Sequence, residues 1–385
     1  MKLNHCCRWI LLAISAVTTV VTVFILGCGK GSHIYIAGNL PLSGPIAIFS
    51  GKYPLGFKLG IEDACKKLGI SVSKFKLDFQ DNQGKPTMAA AVMRKQLLMN
   101  PQIYISGTSQ MSEAIIPEVS KRNIPHFLVS FDTNLNEKYS TAITILPNFK
   151  LEAPLFVRFI VQNHARKVFF FTPNLKAYLE QSNFFILPEL KKRNIEYKRE
   201  LFDFHQRDFR SLVIKAINYH PDVIIVSGYA FHVYPIIKLL KQYNIQKRCS
   251  IMATLDYIDL IHKKKYEDIK GVAFTSPLCE IPGRNKQFDK WKERFKSIFK
   301  REPSYVDAYA YDTAWIIVAT YKKFGNITVQ NIIKVLPFDG IVGRITIDEN
   351  RVLNSTLVIG YLSEDGRITQ WKPENRKFLL ERREK

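Results

Sequence analysis

From His33 onward, short apolar runs alternate with longer stretches in which apolar residues recur at every third or fourth position. The runs predict strands at His33–Gly38, Phe75–Phe79, Ile103–Ser106, His126–Val129, Lys167–Phe171, Tyr197–Phe202, Asp222–Ser227, Ser250–Ala253 and Gly271–Ser276. The helical spacing between them predicts helices at Leu55–Leu68, Pro86–Met99, Leu151–Asn163, Ala177–Arg193, Phe209–Tyr219 and Tyr234–Tyr243. Pro86 suits a first helical turn, and Pro117 should kink the helix between the third and fourth strands. Strand–helix alternation of this length predicts α/β architecture with parallel sheets covered by helices. The units are too many for one core and restart after Pro147, so two lobes are expected. The remainder changes character: helices over 287–299, 306–323 and 328–335, then strands at Ile341–Ile347, Thr356–Leu362 and Arg367–Trp371, with Gly360 and Gly366 near their turns.

One stretch stands out for chemistry. Ile103–Asn134 reads as strand, the small-residue loop Gly107-Thr108-Ser109, helix, then a second strand ending in Ser130-Phe131-Asp132-Thr133-Asn134. In a parallel sheet both strand ends open at the carboxyl edge, where loops and helix N-termini present free N–H groups to small ligands. Two hydroxyl-rich turns there suit a carboxylate or an amide. The structural alternative is that Ser109 and Ser112 simply cap the helix.

With 385 residues, 46% hydrophobic and 23% charged, the chain is globular rather than disordered. Its formal charge of +22 is spread over many helices, so it does not form a nucleic-acid-binding block. The densest run, Lys286–Lys300, places Phe288, Trp291 and Phe295 at helical spacing and reads as an amphipathic helix with a solvated basic face. Lys2 and Arg8 flank the apolar run Trp9–Gly27, which ends in Ile25-Leu26-Gly27-Cys28. This is the pattern of an exported protein, either cleaved before Cys28 or anchored by an uncleaved helix. Cys65, Cys249 and Cys279 remain for the folded part; the latter two fall at opposite sheet edges, so free thiols are expected. No His/Cys spacing marks a metal site and no nucleophile–base order appears, which argues against an enzyme and against a cofactor.

Three ordered pieces resemble a known family: Ile34-Tyr-Ile-Ala-Gly-Asn-Leu-Pro-Leu-Ser-Gly-Pro-Ile-Ala; Leu77–Asn82 with Gln83-Gly84-Lys85-Pro86, followed by Ile105-Ser-Gly through Thr133-Asn134; and Tyr309-Ala-Tyr-Asp-Thr-Ala with Phe338-Asp-Gly-Ile-Val-Gly-Arg-Ile-Thr-Ile-Asp. Together they resemble the leucine/isoleucine/valine-binding type of periplasmic binding protein, over nearly all of 33–372. Leu26-Gly27-Cys28 resembles a lipobox, with residues 1–27 as lipoprotein signal peptide and Cys28 as the lipidated residue. The resemblance implies a type I periplasmic-binding-protein fold: two Rossmann-like lobes joined by three hinge crossovers. Lobe one would hold 33–146 plus 279–336 and lobe two 147–278 plus 337–372, leaving 373–385 as a basic tail. It implies a ligand held by Ser109 and Thr133, by the backbone carbonyl of Phe131, by a wall at Phe49, by Tyr178 and Tyr229 closing from lobe two, and by Asp256 or its neighbour Leu255 receiving an amine. Asp312 is read as a structural helix residue.

The sequence departs from the family at Phe131-Asp132, at Leu179, and in lacking a partner for Cys65. Asp132 and Asp256 together suit a cationic or amide ligand. The implied partners are a small-molecule ligand such as an amino acid, an inner-membrane ABC permease and, through Cys28, the lipid bilayer. The protein would act as a monomer at the periplasmic or extracellular side of the envelope. A ligand-sensing or degenerate-cleft surface lipoprotein is the alternative.

Overall fold

A computed structural model describes residues 33–44, 46–47, 51–131, 133–245, 248–262 and 268–373. The leader, Cys28, Phe49, Asp132 and the tail beyond 373 lie outside the described residues. Among the described residues no helix is long and apolar enough to cross a membrane.

The first sheet contains β1 (Ile34–Leu40), β2 (Phe75–Asp81), β3 (Ile103–Gly107), β4 (His126–Val129) and β5 (Ala142–Thr144), ordered β2-β1-β3-β4-β5. Every pairing in it is parallel. The second sheet contains β6 (Lys167–Pro173), β7 (Glu196–Phe202), β8 (Val223–Val226), β9 (Ser250–Ala253) and β10 (Val272–Pro277) as a parallel set. A small antiparallel group follows: β11 (Phe338–Gly340), β12 (Gly343–Ile347) and β13 (Leu353–Asn354). Finally β14 (Leu357–Leu362) and β15 (Ile368–Gln370) add antiparallel strands beside β10, completing the order β15-β14-β10-β9-β8-β6-β7.

Helices cover both faces of the first sheet. On one lie α1 (Tyr53–Leu68) and, from far along the chain, Tyr305–Phe324; on the other lie α2 (Pro86–Leu97) and α3 (Ser109–Ser120). After the short α4 (Asn134–Lys138) the chain leaves the first sheet through α5 (Phe149–Gln162), whose N-cap Asn148 accepts Leu151 N–H at 3.0 Å. The second sheet is dressed by α5, α6 (Lys176–Glu180), α7 (Leu187–Lys192), α8 (Arg210–Tyr219), α9 (Ala230–Gln242) and α10 (Tyr257–His262). The chain then returns through α11 (Lys286–Phe299) and α12 (Tyr305–Phe324), which start on an Asn285 cap and on a Ser304/Asp307 capping box. α12 packs tightly on α1 because Gly60 has no side chain: a Cβ there would stand 2.5 Å from the Tyr311 carbonyl oxygen.

Four local expectations are corrected. The single helix expected at Ala177–Arg193 is broken by a π-helical turn, Gln181–Ile186, in which Leu187 N–H reaches Ser182 O five residues back. Pro188 supplies the reason, since it has no N–H with which to continue the regular ladder. The helix expected to start at Tyr234 begins at Ala230, because Pro235 is accommodated inside it rather than at its first turn. Ile341 lies in a hairpin turn rather than a strand, where Asp312 accepts the N–H groups of Ile341 and Val342 at 3.0 and 2.9 Å. Gly360 sits within β14, opposite Phe274, whose ring would lie 2.7 Å from any Cβ there. Cys65, Cys249 and Cys279 are buried and free.

Candidate ligand cleft

In both sheets the strand order reverses at one point, between β1 and β3 and between β6 and β8. Open α/β sheets bind ligands at such points, outside the carboxyl ends of the strands. Ser109 follows β3, Phe131 and Thr133 follow β4, Tyr178 follows β6, Tyr229 follows β8 and Asp256 follows β9. Six of the seven residues singled out from the sequence therefore sit just past the carboxyl ends of strands, Ser109 and Tyr178 in the first turns of the helices that follow; Phe49 falls outside the described residues.

Two chambers open between these loops. The inner one, about 10 Å³, is lined by Phe131, Phe149, Glu152, Tyr178, Thr254, Leu255 and Asp256, with Pro147 and Leu357. That is room for on the order of one water molecule. The outer one, about 230 Å³, shares Phe131 and Phe149 and adds Thr133, Gln181, Phe184 and Phe185. A row of aromatic rings fills the space between them. Phe131 stacks on Phe149 at 5.1 Å, Phe149 lies 4.7 Å from Tyr178, and Tyr178 meets Tyr229 edge-on at 6.2 Å.

The polar groups are unusual for so closed a site. Asp256 is 4% exposed; Tyr305 Oη donates to its Oδ1 at 2.7 Å, while Oδ2 has no partner among the described residues. Burial, reinforced by the neighbouring Asp259, pushes the Asp256 carboxyl up to about 8. Asp259 is ion-paired through Oδ2 with Lys52 Nζ at 3.0 Å, and among the described residues its Oδ1 is likewise unpartnered. Glu152 is fully surrounded: Leu255 N–H donates to Oε1 at 3.0 Å, Gln181 Nε2 to Oε2 at 2.7 Å, and Thr275 Oγ1 to Oε1. Burial raises its pKa against these bonds. Through Leu255 it fixes the turn that presents Asp256.

Residues 33–367 match the family model described as periplasmic binding protein. The chain belongs to that family. Its fold is also that of solved solute-binding proteins. The leucine-binding protein LivK of Thermotoga maritima aligns at TM-score 0.73 and 22% identity over 88% of this chain and 98% of that one. LivJ of Streptococcus pneumoniae, solved with isoleucine, aligns at 0.74 and 17% over 88% and 100%. A Rhodopseudomonas palustris solute-binding protein, solved with 3,4-dihydroxybenzoic acid, aligns at 0.76 and 15% over 88% and 96%. No functionally curated protein matches the sequence.

Within this periplasmic binding protein the expected residues are not all disposed as the resemblance implies. Phe131, Tyr178 and Asp256 share the inner chamber, Thr133 lines the outer one, and Tyr229 backs Tyr178. Ser109 lines neither chamber; its hydroxyl is bonded to Ser130 Oγ at 2.8 Å. The Phe131 carbonyl, expected to face a ligand, accepts Phe149 N–H at 3.3 Å instead. Ser112 does not cap α3; it bonds Ser106 beneath the sheet edge at 2.6 Å. Sequence reasoning missed Lys52, Phe149, Glu152, Asp259 and Tyr305. For Glu152 and Asp259 a signal existed: each is an acid on the apolar stripe of its helix, between Phe149 and Phe156 and between Ile258 and Ile261. Among the described residues no group of three or more His, Cys, Asp or Glu is disposed to hold a metal.

Proposed function

We propose that this chain is an extracytoplasmic, lipid-anchored solute-binding protein of an ABC importer, capturing an amino acid or similar small polar solute between two closing lobes. The observation that carries this is Asp256: a buried carboxyl with one unpartnered oxygen, in an aromatic chamber between two sheet edges. A group left costly in the empty state points to a ligand that completes it. The lobes expected from the resemblance are 33–146 with 279–336 and 147–278 with 337–372. The Val352–Thr144 bridge and the Arg351 contacts to Asn136 and Ala142 support drawing the third crossover later, at 354–356. Lobe rotation about these crossovers opens the chambers, and the closed, loaded form docks on an inner-membrane permease. Cys28 supplies the lipid anchor.

A second reading, a ligand-sensing or degenerate-cleft surface lipoprotein, draws on two observations: the inner chamber is small, and the Phe131 carbonyl is already engaged. Thermal melting of the full chain against amino acids, amides and aromatic acids separates the two. A ligand at a hundred times its Kd adds about 2.7 kcal/mol, a shift of several degrees. Such a shift, weakened in Thr133→Ala/Tyr178→Ala, whose side chains line the chambers, supports the receptor; a flat response to every solute favours the second reading.

A further inference from the structure

The amino edge of the first sheet, at the end of the strands away from the cleft, carries a concentration of positive charge. α1, α2 and α3 end there, because each runs back against the parallel strands before β2, β3 and β4. α12 ends there too. It runs alongside α1, with Gly56 against Asp307 and Gly60 against Tyr311, and its Tyr321 ring meets Phe75 at the start of β2. The last turns of α1, α2 and α12 carry Lys66 and Lys67, Arg94 and Lys95, and Lys322 and Lys323, all exposed. Lys121 and Arg122 follow α3, and Lys334 follows the helix Val329–Ile333. Across residues 65–74, 94–102, 117–125 and 321–334 the one acid is Glu118, which is ion-paired with Lys121 at 2.6 Å.

Cations in a last helical turn also offset the helix dipole, so the lysines alone decide nothing. The side chains between them do. Leu98, 78% exposed, is the most exposed large apolar side chain among the described residues, and Met99 beside it is 54% exposed. Both lie in the turn between α2 and β3, and Val72, 44% exposed, lies in the turn between α1 and β2. Apolar tips set among cations, with acids nearly excluded, suit the headgroup layer of an anionic bilayer. The other basic regions differ. On α11, Arg294 is ion-paired with Asp63 and Lys296 with Glu302; at the amino edge of the second sheet, Lys167 is paired with Glu196, and Lys192 and Arg193 with Glu189.

The chain enters the fold at this same edge. His33 immediately precedes β1, its ring donating from Nδ1 to the Ser73 carbonyl at 2.6 Å. Cys28, the anchoring residue in the reading above, precedes His33 by five positions, at most about 18 Å of extended chain. We propose that the amino edge of the first sheet docks on anionic phospholipid, with the lysine and arginine pairs on headgroup phosphates and Leu98, Met99 and Val72 entering the interface. The proposal rests on the anchored reading for the nearness of the bilayer. Seating by this edge leaves the carboxyl-edge loops, and so the cleft, directed away from the membrane.

The full chain is reconstituted with vesicles of phosphatidylcholine alone and of phosphatidylcholine mixed with phosphatidylglycerol. Met99→Cys carries an environment-sensitive fluorophore; Tyr243→Cys, at an exposed position after α9, is the comparison, and the unsubstituted chain labelled alike gives the background. The expected result is a blue shift of the residue-99 label in the mixed vesicles alone, reversed at about 0.5 M salt, with the residue-243 label unmoved. Each of Lys66→Gln, Lys67→Gln and Lys322→Gln should cut the ratio of seated to unseated protein about fivefold, with little change in the urea midpoint. A residue-99 label that stays in water in both vesicles overturns the proposal, as does a shift that survives the three substitutions together. Flotation separates this from the anchor. A chain that floats with both vesicles but keeps residue 99 in water has the anchor without the docking edge. A chain that floats with the mixed vesicles alone has the docking edge without the anchor, and one that floats with neither overturns both.

Discussion

Replacing Asp256 by asparagine should make the empty protein more stable at neutral pH, not less. The carboxyl is ordinarily half-ionised at 3.8 and is held at about 8 in the native chain, chiefly by burial. Between those values the unfolded chain has released a proton that the native chain still holds. Native stability contributed by this group therefore falls as pH rises through the window. Each pH unit accounts for about 1.4 kcal/mol, so the loss accumulates to roughly 4 kcal/mol by pH 7. Asparagine keeps an oxygen to accept from Tyr305 Oη and removes the charge, so its stability should not slope over the same range. Asp312, pushed up to about 7 by burial, slopes in the same direction but is present in both proteins and cancels in the comparison. Urea unfolding of both proteins at about pH 5 and about pH 8 reads the difference directly. The gap should be small at the lower pH and several kcal/mol in favour of the variant at the higher. A variant less stable by the same amount at both would mean that Asp256 is ionised in the native state, and the reasoning would fail.

Two further substitutions probe the parts that hold the cleft. Lys52→Met strands Asp259, 2% exposed at its side chain, without its cation; it should cost about 3–5 kcal/mol in urea, with most of that recovered in Lys52→Met/Asp259→Asn. Asp312→Ala leaves the N–H groups of Ile341 and Val342 without their acceptor, at about 1–3 kcal/mol each, and should lower the melting midpoint with no effect on any solute's affinity at the cleft.

Much of the architecture was legible because β-period runs and helical spacing survive in strongly apolar segments such as Val168-Phe169-Phe170-Phe171 and Val223–Val226, each buried throughout. What escaped was short or locally overridden. β5 spans three residues, too few for alternation to register. Helix limits near Pro188 and Pro235 depended on whether a proline is placed at a helix start or absorbed within it, which packing decides. At the site, Tyr178, Tyr229 and Asp256 came from the family resemblance, and each lies just past a strand's carboxyl end. Contacts made across the cleft were not readable. Lys52 and Tyr305 meet Asp259 and Asp256 from opposite ends of the sequence, and no local pattern announces such a pairing. Ser109 shows the converse: its hydroxyl chemistry was evident, but its engagement by Ser130 is a fact of packing.

The measurement that reaches the central claim most directly is a native mass spectrum of the full chain. The chain is incubated with a mixed pool of amines, amino acids and aromatic acids, beside Tyr178→Ala and Asp256→Asn. The account predicts one small solute retained at one per chain and lost from both variants, since Tyr178 and Asp256 line the same chamber. No retained solute, or one held equally by all three proteins, would contradict it.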